Sequence, residues 1–239
     1  MSKKIVILNG SPRKSGNTSA LVTAFREGAE GAGHTVTEFF LDKMNIHGCK
    51  GCFGGHSDRE CPCVQQDDMN RIYPAVRDCD VIVLASPLYY WTMSGQLRTA
   101  FDRLFALEEG GKNLLRGNGK SSALLMAAEG HGFDDAVLYY DHLMEHLHWK
   151  NLGHVLAGGN MDVGDIKGKP ELQQAYELGK SIYSQGNRAR DPGGSSCGDG
   201  SPQGSCGSYA ESCCCDFGRR LGCGGDYSAY LFDCPGHGI

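Results

Sequence analysis

The sequence predicts an α/β domain: an open, doubly wound parallel sheet with helices on both faces. Two observations predict it. Short apolar runs at Lys4 to Leu8, Asp80 to Ala85, Ser122 to Ala128 and, more weakly, Leu152 to Leu156 do not alternate with polar residues, which suits strands buried on both faces of a parallel sheet. Between the runs lie stretches with a single apolar stripe at helical spacing, and parallel neighbours need crossover helices of that length.

The elements follow in order. The first strand, Lys4 to Leu8, enters a loop of small, polar and basic residues, Gly10 to Thr18, and then a helix striped by Leu21, Val22, Phe25 and Ala29. Thr35 to Leu41 fits the second strand. Asp67 to Arg77 reads as a helix whose first turn carries two acids, as the positive end of a helix dipole favours. After the strand Asp80 to Ala85, Leu97, Phe101, Leu104 and Phe105 mark the next helix. After Ser122 to Ala128 the stripe is Val137, Tyr140, Leu143, Met144 and Leu147, and after Leu152 to Leu156 it is Leu172, Ala175, Tyr176 and Ile182. Five alternations give a five-stranded sheet over residues 1–186. Residues 187–239 are crowded with Gly, Ser and Cys and contain no lysine; this tail is expected to be disordered, having little apolar area to offset the entropy of ordering.

A net charge of -5 with interspersed signs leaves no basic stripe for nucleic acid and no polybasic membrane anchor. No segment reaches the roughly 20 apolar residues that span a bilayer, and the apolar run at the N-terminus is too short for a signal-peptide core. The expectation is a soluble, cytoplasmic protein. A domain of this length buries its own core, so the 12 cysteines do not call for a disulfide scaffold.

In such sheets ligands sit beyond the carboxyl ends of the strands, so chemistry is expected in the loops after the first, third and fourth strands. The first loop brings backbone N–H groups and a helix N-terminus to one point, an anion site. Ser11, Ser15, Asn17 and Thr18 add short donors and Arg13 a charge. A nucleotide triphosphatase loop would carry Lys-Ser/Thr where Asn17 and Thr18 stand, and a dinucleotide fingerprint would need a third glycine beside Gly10 and Gly16. A cradle for one terminal phosphomonoester remains, with a plain helix cap by Asn17 or Thr18 as the structural alternative. The third-strand loop, Ser86 to Gly95, contains Tyr89, Tyr90 and Trp91 in a row; such rings suit stacking on a planar ligand, and a subunit contact would look the same. Cys49, Cys52, Cys61 and Cys63 fall within one short loop and could bind an iron–sulfur cluster or zinc. His142, His146 and His148 read as a solvated helix face. Cys79 reads as a small core residue.

GSPRKSGNT at 10–18 and SPLYYWTMSGQLRTAFDRL at 86–104 together resemble the flavodoxin-like NAD(P)H-dependent FMN reductases, and within them the branch related to iron–sulfur flavoproteins. The resemblance runs from about Lys3 to Ser184. It implies that Ser11, Arg13, Ser15, Asn17 and Thr18 hold the FMN phosphate. It implies that Pro87, Leu88, Tyr89, Tyr90 and Trp91 flank the ring system, with Ser94 and Gly95 opening the next helix. A third contact is implied at Ala128, Glu129 and Gly130, with His131 near the flavin edge. NAD(P)H would be the hydride donor and a flavin, quinone or aromatic compound the acceptor, in a homo-oligomer (dimer or tetramer). The cluster-bearing relatives carry a third cysteine two residues after the first C-x2-C; that position here is Gly55, so a 4Fe-4S cluster would need Cys63 or His56 as a substitute. The alternatives are an iron–sulfur flavoprotein or a flavodoxin-type carrier serving a protein partner. The modest net charge, with Arg98 and Arg103 after the ring loop, favours the enzyme.

Overall fold

The computed structural model describes residues 2–55, 61–109 and 113–182. The sequence tail at 187–239 and His56 lie outside them. Five strands run parallel in the order β2-β1-β3-β5-β6: β1 (Lys4–Asn9), β2 (Thr35–Phe40), β3 (Val81–Tyr89), β5 (Ser121–Ala127) and β6 (Lys150–Ala157). This is the flavodoxin-like strand order, whose switch point lies between β1 and β3. A sixth strand, β4 (Thr92–Met93), pairs antiparallel with the end of β3. The sequence reading missed it because two residues carry no periodicity.

The apolar runs do not alternate because both faces are covered. Val6, Leu8, Ile82, Leu84, Leu124 and Met126 face one core under α2 (Met69–Asp78), α3 (Gly95–Arg103) and α4 (Asp134–Leu147). Ile5, Ile7, Val81, Val83 and Leu125 face the other, under α1 (Asn17–Gly31) and α5 (Pro170–Lys180). The stripe Leu21, Val22, Phe25 and Ala29 is fully buried there. Helices α1 and α5 touch backbone to backbone: a Cβ at Gly28 would collide with the Tyr176 carbonyl, and one at Gly179 with the Phe25 carbonyl.

The edge strand β6 explains its weak sequence signal, since most of its residues are exposed or half-buried. At the amino ends of the strands, Lys3 pairs with Asp80 at 3.0 Å, and a small cavity of about 170 Å³ opens between them and Ser181 and Ile182. His34, buried, accepts the Lys3 N–H at Nδ1, and its Nε2 meets the Ile182 carbonyl. The buried Lys120 ammonium donates to the carbonyls of Arg77 and Cys79, where cations complement a helix C-terminus.

Candidate functional site

Four loops meet at the carboxyl ends of the strands. The first is organised from below by Asn9, buried at the end of β1, whose Oδ1 accepts the Ser11 N–H at 3.0 Å. The Ser11 hydroxyl donates to the Arg13 carbonyl, which also accepts from the Ser19 hydroxyl and the Gly16 N–H. Turning that carbonyl inward keeps it away from the mouth of the loop. The N-cap of α1 is Gly16, with no side-chain cap and no acid in the first turn. The first N–H groups of the helix therefore have no capping side chain, which is what an anion site requires, and the cap reading for Asn17 and Thr18 falls away. Arg13 and Ser15 are exposed; Ser11 and Thr18 are buried.

Asn17 stands at the first helical position, but its side-chain amide is engaged elsewhere. Its Nδ2 donates to the Asp162 carbonyl at 2.8 Å and its Oδ1 accepts the Gly164 N–H at 2.9 Å. It straps the 161–165 turn, a fourth loop that the sequence reading did not single out, to the start of α1. Nothing local announces a bond between residues this far apart in sequence.

The second loop continues β3 beyond the sheet. Leu88 pairs with Met93 and Tyr89 with Thr92, leaving Tyr90 and Trp91 as a two-residue hairpin turn with φ of +46° and +60°. That geometry normally selects Asn-Gly; in bulky residues it costs roughly 1–2 kcal/mol each. Tyr90 is 91 % exposed and Trp91 61 %, so burial does not offset the cost. Pro87 and Leu88 are half-buried beneath them.

Ser94 joins this hairpin to the first loop. Its N–H donates to the Ser86 hydroxyl at 2.8 Å, and its own hydroxyl donates to the Gly10 carbonyl at 2.8 Å and caps α3 by accepting the Leu97 N–H. A Cβ at Gly10 would lie 2.5 Å from the Ser94 oxygen and 2.7 Å from Leu97 Cβ, so glycine is what lets the two loops approach. Ser94 thus opens α3 as expected, while Gly95 beside it is exposed.

In the third loop Ala128 is half-buried and Glu129, Gly130 and His131 are exposed. Trp91 closes on this loop beside Gly132, 3.9 Å from where a Cβ would stand. The loop is laced to the fourth by the bonds from Ala128 N–H to Ala157, Asn160 N–H to Ala128 and Gly159 N–H to Glu129. The His131 ring packs on Gly158. Glu129 caps nothing, since α4 starts after Phe133 with Asp134 and Asp135 in its first turn.

The cysteine loop is held at its neck. Arg103, 1 % exposed, forms a buried ion pair with Asp67 at 2.6 Å and donates to the carbonyls of His47 and Gln65. Burial pushes the Asp67 carboxyl up, but the Arg103 hydrogen bonds and the N–H groups of His47 and Met69 more than offset it, leaving it below the usual carboxylate range. Asp68 binds the Asn45 N–H at 2.7 Å. The two acids predicted inside the first turn of α2 instead precede it and clamp the loop. Arg103, counted in the sequence among the charges that follow the ring loop, is a core residue; Arg98 lies over the Tyr139 ring at 4.7 Å.

The four candidate thiols are not equivalent. Cys49 and Cys52 are exposed, Cys61 is half-buried, and Cys63 belongs to the hydrophobic core against Tyr73. Among the described residues no group of three or more His, Cys, Asp or Glu side chains is placed to hold a metal ion. With Cys63 turned into the core and Gly55 at the third position, this donor set does not fit a four-thiolate cluster. On α4, His142 is exposed and His146 contacts Arg116; His148 ends the helix in a left-handed conformation, φ +52°. Cys79 is buried, and burial pushes its thiol up to about 11.

A family model described as NADPH-dependent FMN reductase matches residues 3–161. A protein named iron-sulfur flavoprotein from Archaeoglobus fulgidus is 31% identical over 182 residues, covering 75% of this chain and 78% of that protein. One of the same name from Methanosarcina thermophila is 31% identical over 167 residues, covering 70% and 83%. Among solved structures, an NAD(P)H:quinone oxidoreductase from Methanothermobacter marburgensis superimposes with a TM-score of 0.58 at 18% identity, over 78% of this chain and 100% of the other. An FMN-dependent NADH-azoreductase from Bacillus anthracis, solved with FMN, gives 0.53 at 16% identity over 74% and 95%. At that identity the structural likeness speaks to the fold. Among the described residues no helix is long and apolar enough to cross a membrane.

Proposed function

Because the chain belongs to the NADPH-dependent FMN reductase family, we propose that its four meeting loops hold FMN and that it oxidises NAD(P)H to reduce a small acceptor such as a flavin, a quinone or an aromatic compound. The observation that carries the reading is the uncapped start of α1, tied through Ser94 to a strained, exposed aromatic hairpin. Ser11, Ser15, Thr18 and the Arg13 guanidinium would surround the phosphate, Asn17 adding its backbone N–H while its side chain keeps the strap in place. Pro87, Leu88, Tyr89, Tyr90, Trp91 and Gly95 would flank the ring system, and Ala128, Glu129 and Gly130 would close its far edge. The chemistry the group supplies when bound is hydride acceptance from NAD(P)H and delivery of two electrons onward. The residues bind, orient and exclude water. No side chain needs to move a proton.

The setting we infer is the cytoplasm and the assembly a homo-oligomer, for which the exposed aromatics offer a surface. The names of the quinone and azo reductases of similar fold favour a small acceptor, whereas those of the sequence relatives favour the iron–sulfur reading. A carrier serving a protein partner is the second alternative.

Titration of flavin-free protein with FMN and with riboflavin tests the proposal. Two charge-assisted hydrogen bonds to phosphate, at about 1.5 kcal/mol each, predict binding of FMN about 100-fold tighter than of riboflavin. Equal affinities, or no spectral change with either, would refute the phosphate cradle. Steady NADPH consumption with a quinone separates the enzyme from a carrier, which would show almost none.

A further inference from the structure

The cysteine loop is fastened along its length as well as at its neck. Phe53 meets Phe105 edge-on, centroids 6.1 Å apart at 86°. Two residues later the Gly55 N–H donates to Glu109 Oε2 at 3.1 Å. The Glu109 side chain lies across Gly55: a Cβ there would overlap the carboxylate and stand 2.5 Å from Glu109 Cβ and 2.7 Å from its Cδ. The obstruction includes the root of the side chain, which cannot swing away.

We propose that Glu109 blocks this loop against iron–sulfur assembly by filling the place beside residue 55 that a third thiol of the C-x2-C-x2-C run would need. Iron–sulfur clusters are held by Cys thiolates, each of which must lose its proton to bind. A fixed carboxylate at that corner removes the space and adds like charge to the thiolates of Cys49 and Cys52. Cys63 cannot compensate, being packed in the core with Tyr73.

One consequence rests on the flavin reading of the preceding section. With no cluster to relay single electrons, two-electron delivery from the flavin suits acceptors such as quinones: NADPH, one proton and a quinone give NADP+ and a hydroquinone. Iron content is measured independently of that reading.

The test uses the full chain as wild type, Gly55→Cys, and Gly55→Cys with Glu109→Gly, which removes the obstructing Cβ as well as the carboxylate, each incubated anaerobically with ferrous iron and sulfide and then desalted. Wild type and the single variant are expected to retain far less than one iron per chain, and the double variant about four with matching acid-labile sulfide. Wild type retaining about four, the single variant equalling the double, or a folded double variant retaining none would each overturn the proposal. Thermal unfolding supplies a check that needs no cluster: Gly55→Ala should lower Tm by several degrees, and adding Glu109→Gly should restore it. Failure to restore it would overturn the placement of Glu109. FMN content, read separately, reports on the flavin site alone.

Discussion

The Tyr90–Trp91 turn ties stability to ligand binding in a way that can be measured. Both residues occupy the left-handed region, which costs about 1–2 kcal/mol for each residue other than glycine. Replacing them with Asn and Gly, as Tyr90→Asn with Trp91→Gly, supplies the pair this turn type prefers. Tyr90 is almost wholly exposed and Trp91 largely so, so little buried area is lost. Against the relief stands the greater backbone freedom of glycine when unfolded, about 0.4–1 kcal/mol. Because Asn at position 90 keeps part of the left-handed cost that Gly at 91 removes, the net expectation is a gain of about 1–2 kcal/mol in the flavin-free protein. At about 2–4 °C per kcal/mol for a domain of this size, Tm should rise by about 2–8 °C. The same change removes the rings that would stack on FMN, and at about 0.5–1.5 kcal/mol per aromatic pair the affinity should fall roughly tenfold or more. Differential scanning calorimetry without flavin, paired with FMN titration, reads both quantities. A lower Tm would refute the strain, and a higher Tm with undiminished affinity would refute the purpose assigned to it.

Arg103→Met strands Asp67 as a buried, unpaired charge and should cost about 3–5 kcal/mol, seen as a Tm lower by about 6–20 °C and faster alkylation of Cys63; an unchanged melt would show that the pair does not hold the neck. The folded Asp67 carboxyl lies below its unfolded value of about 3.9, so its stabilisation is complete above that value and drains as pH falls through the folded one. Urea midpoints should therefore stay level from pH 7 to about 5 and then decline, with Asp67→Asn showing a shallower decline; identical profiles would contradict the shift. Gly179→Ala should force α1 and α5 apart at about 1–3 kcal/mol, and wild-type stability in that variant would show the helices are not in contact there. Ser94→Ala removes the α3 cap, worth about 1 kcal/mol, and the link to Gly10, so FMN should dissociate faster; an equal off-rate would leave Ser94 a cap alone.

Much of the fold could be read in the sequence because the central strands are buried on both faces, which prints continuous apolar runs such as Val6 to Leu8 and Val81 to Ala85. The edge strand β6 printed a weaker run, being half in solvent. The first and third loops were legible as motifs, since their residues are contiguous and their chemistry is local. What escaped depends on distant partners. Asp67 and Asp68 look like ordinary first-turn acids until Arg103, His47 and Asn45 are seen to meet them. Asn17 looks like a donor for phosphate until Asp162 and Gly164 arrive to occupy its amide. The hairpin turn was illegible for the opposite reason, because Tyr-Trp is a poor local choice that the surrounding strands impose.

The way α5 comes back down the molecule has a practical corollary. Gly28 and Gly179 lock α5 against α1, and His34 then grips the carbonyl of Ile182 among the amino ends of the strands, beside Lys3 and Asp80. Position 182 is therefore at the opposite pole from the four loops at the carboxyl ends of the strands. A linker attached to the exposed Ser181 side chain beside it, to an electrode, a bead or a biosensor chip, would anchor the domain by its base and leave the opposite end turned to the bulk solution.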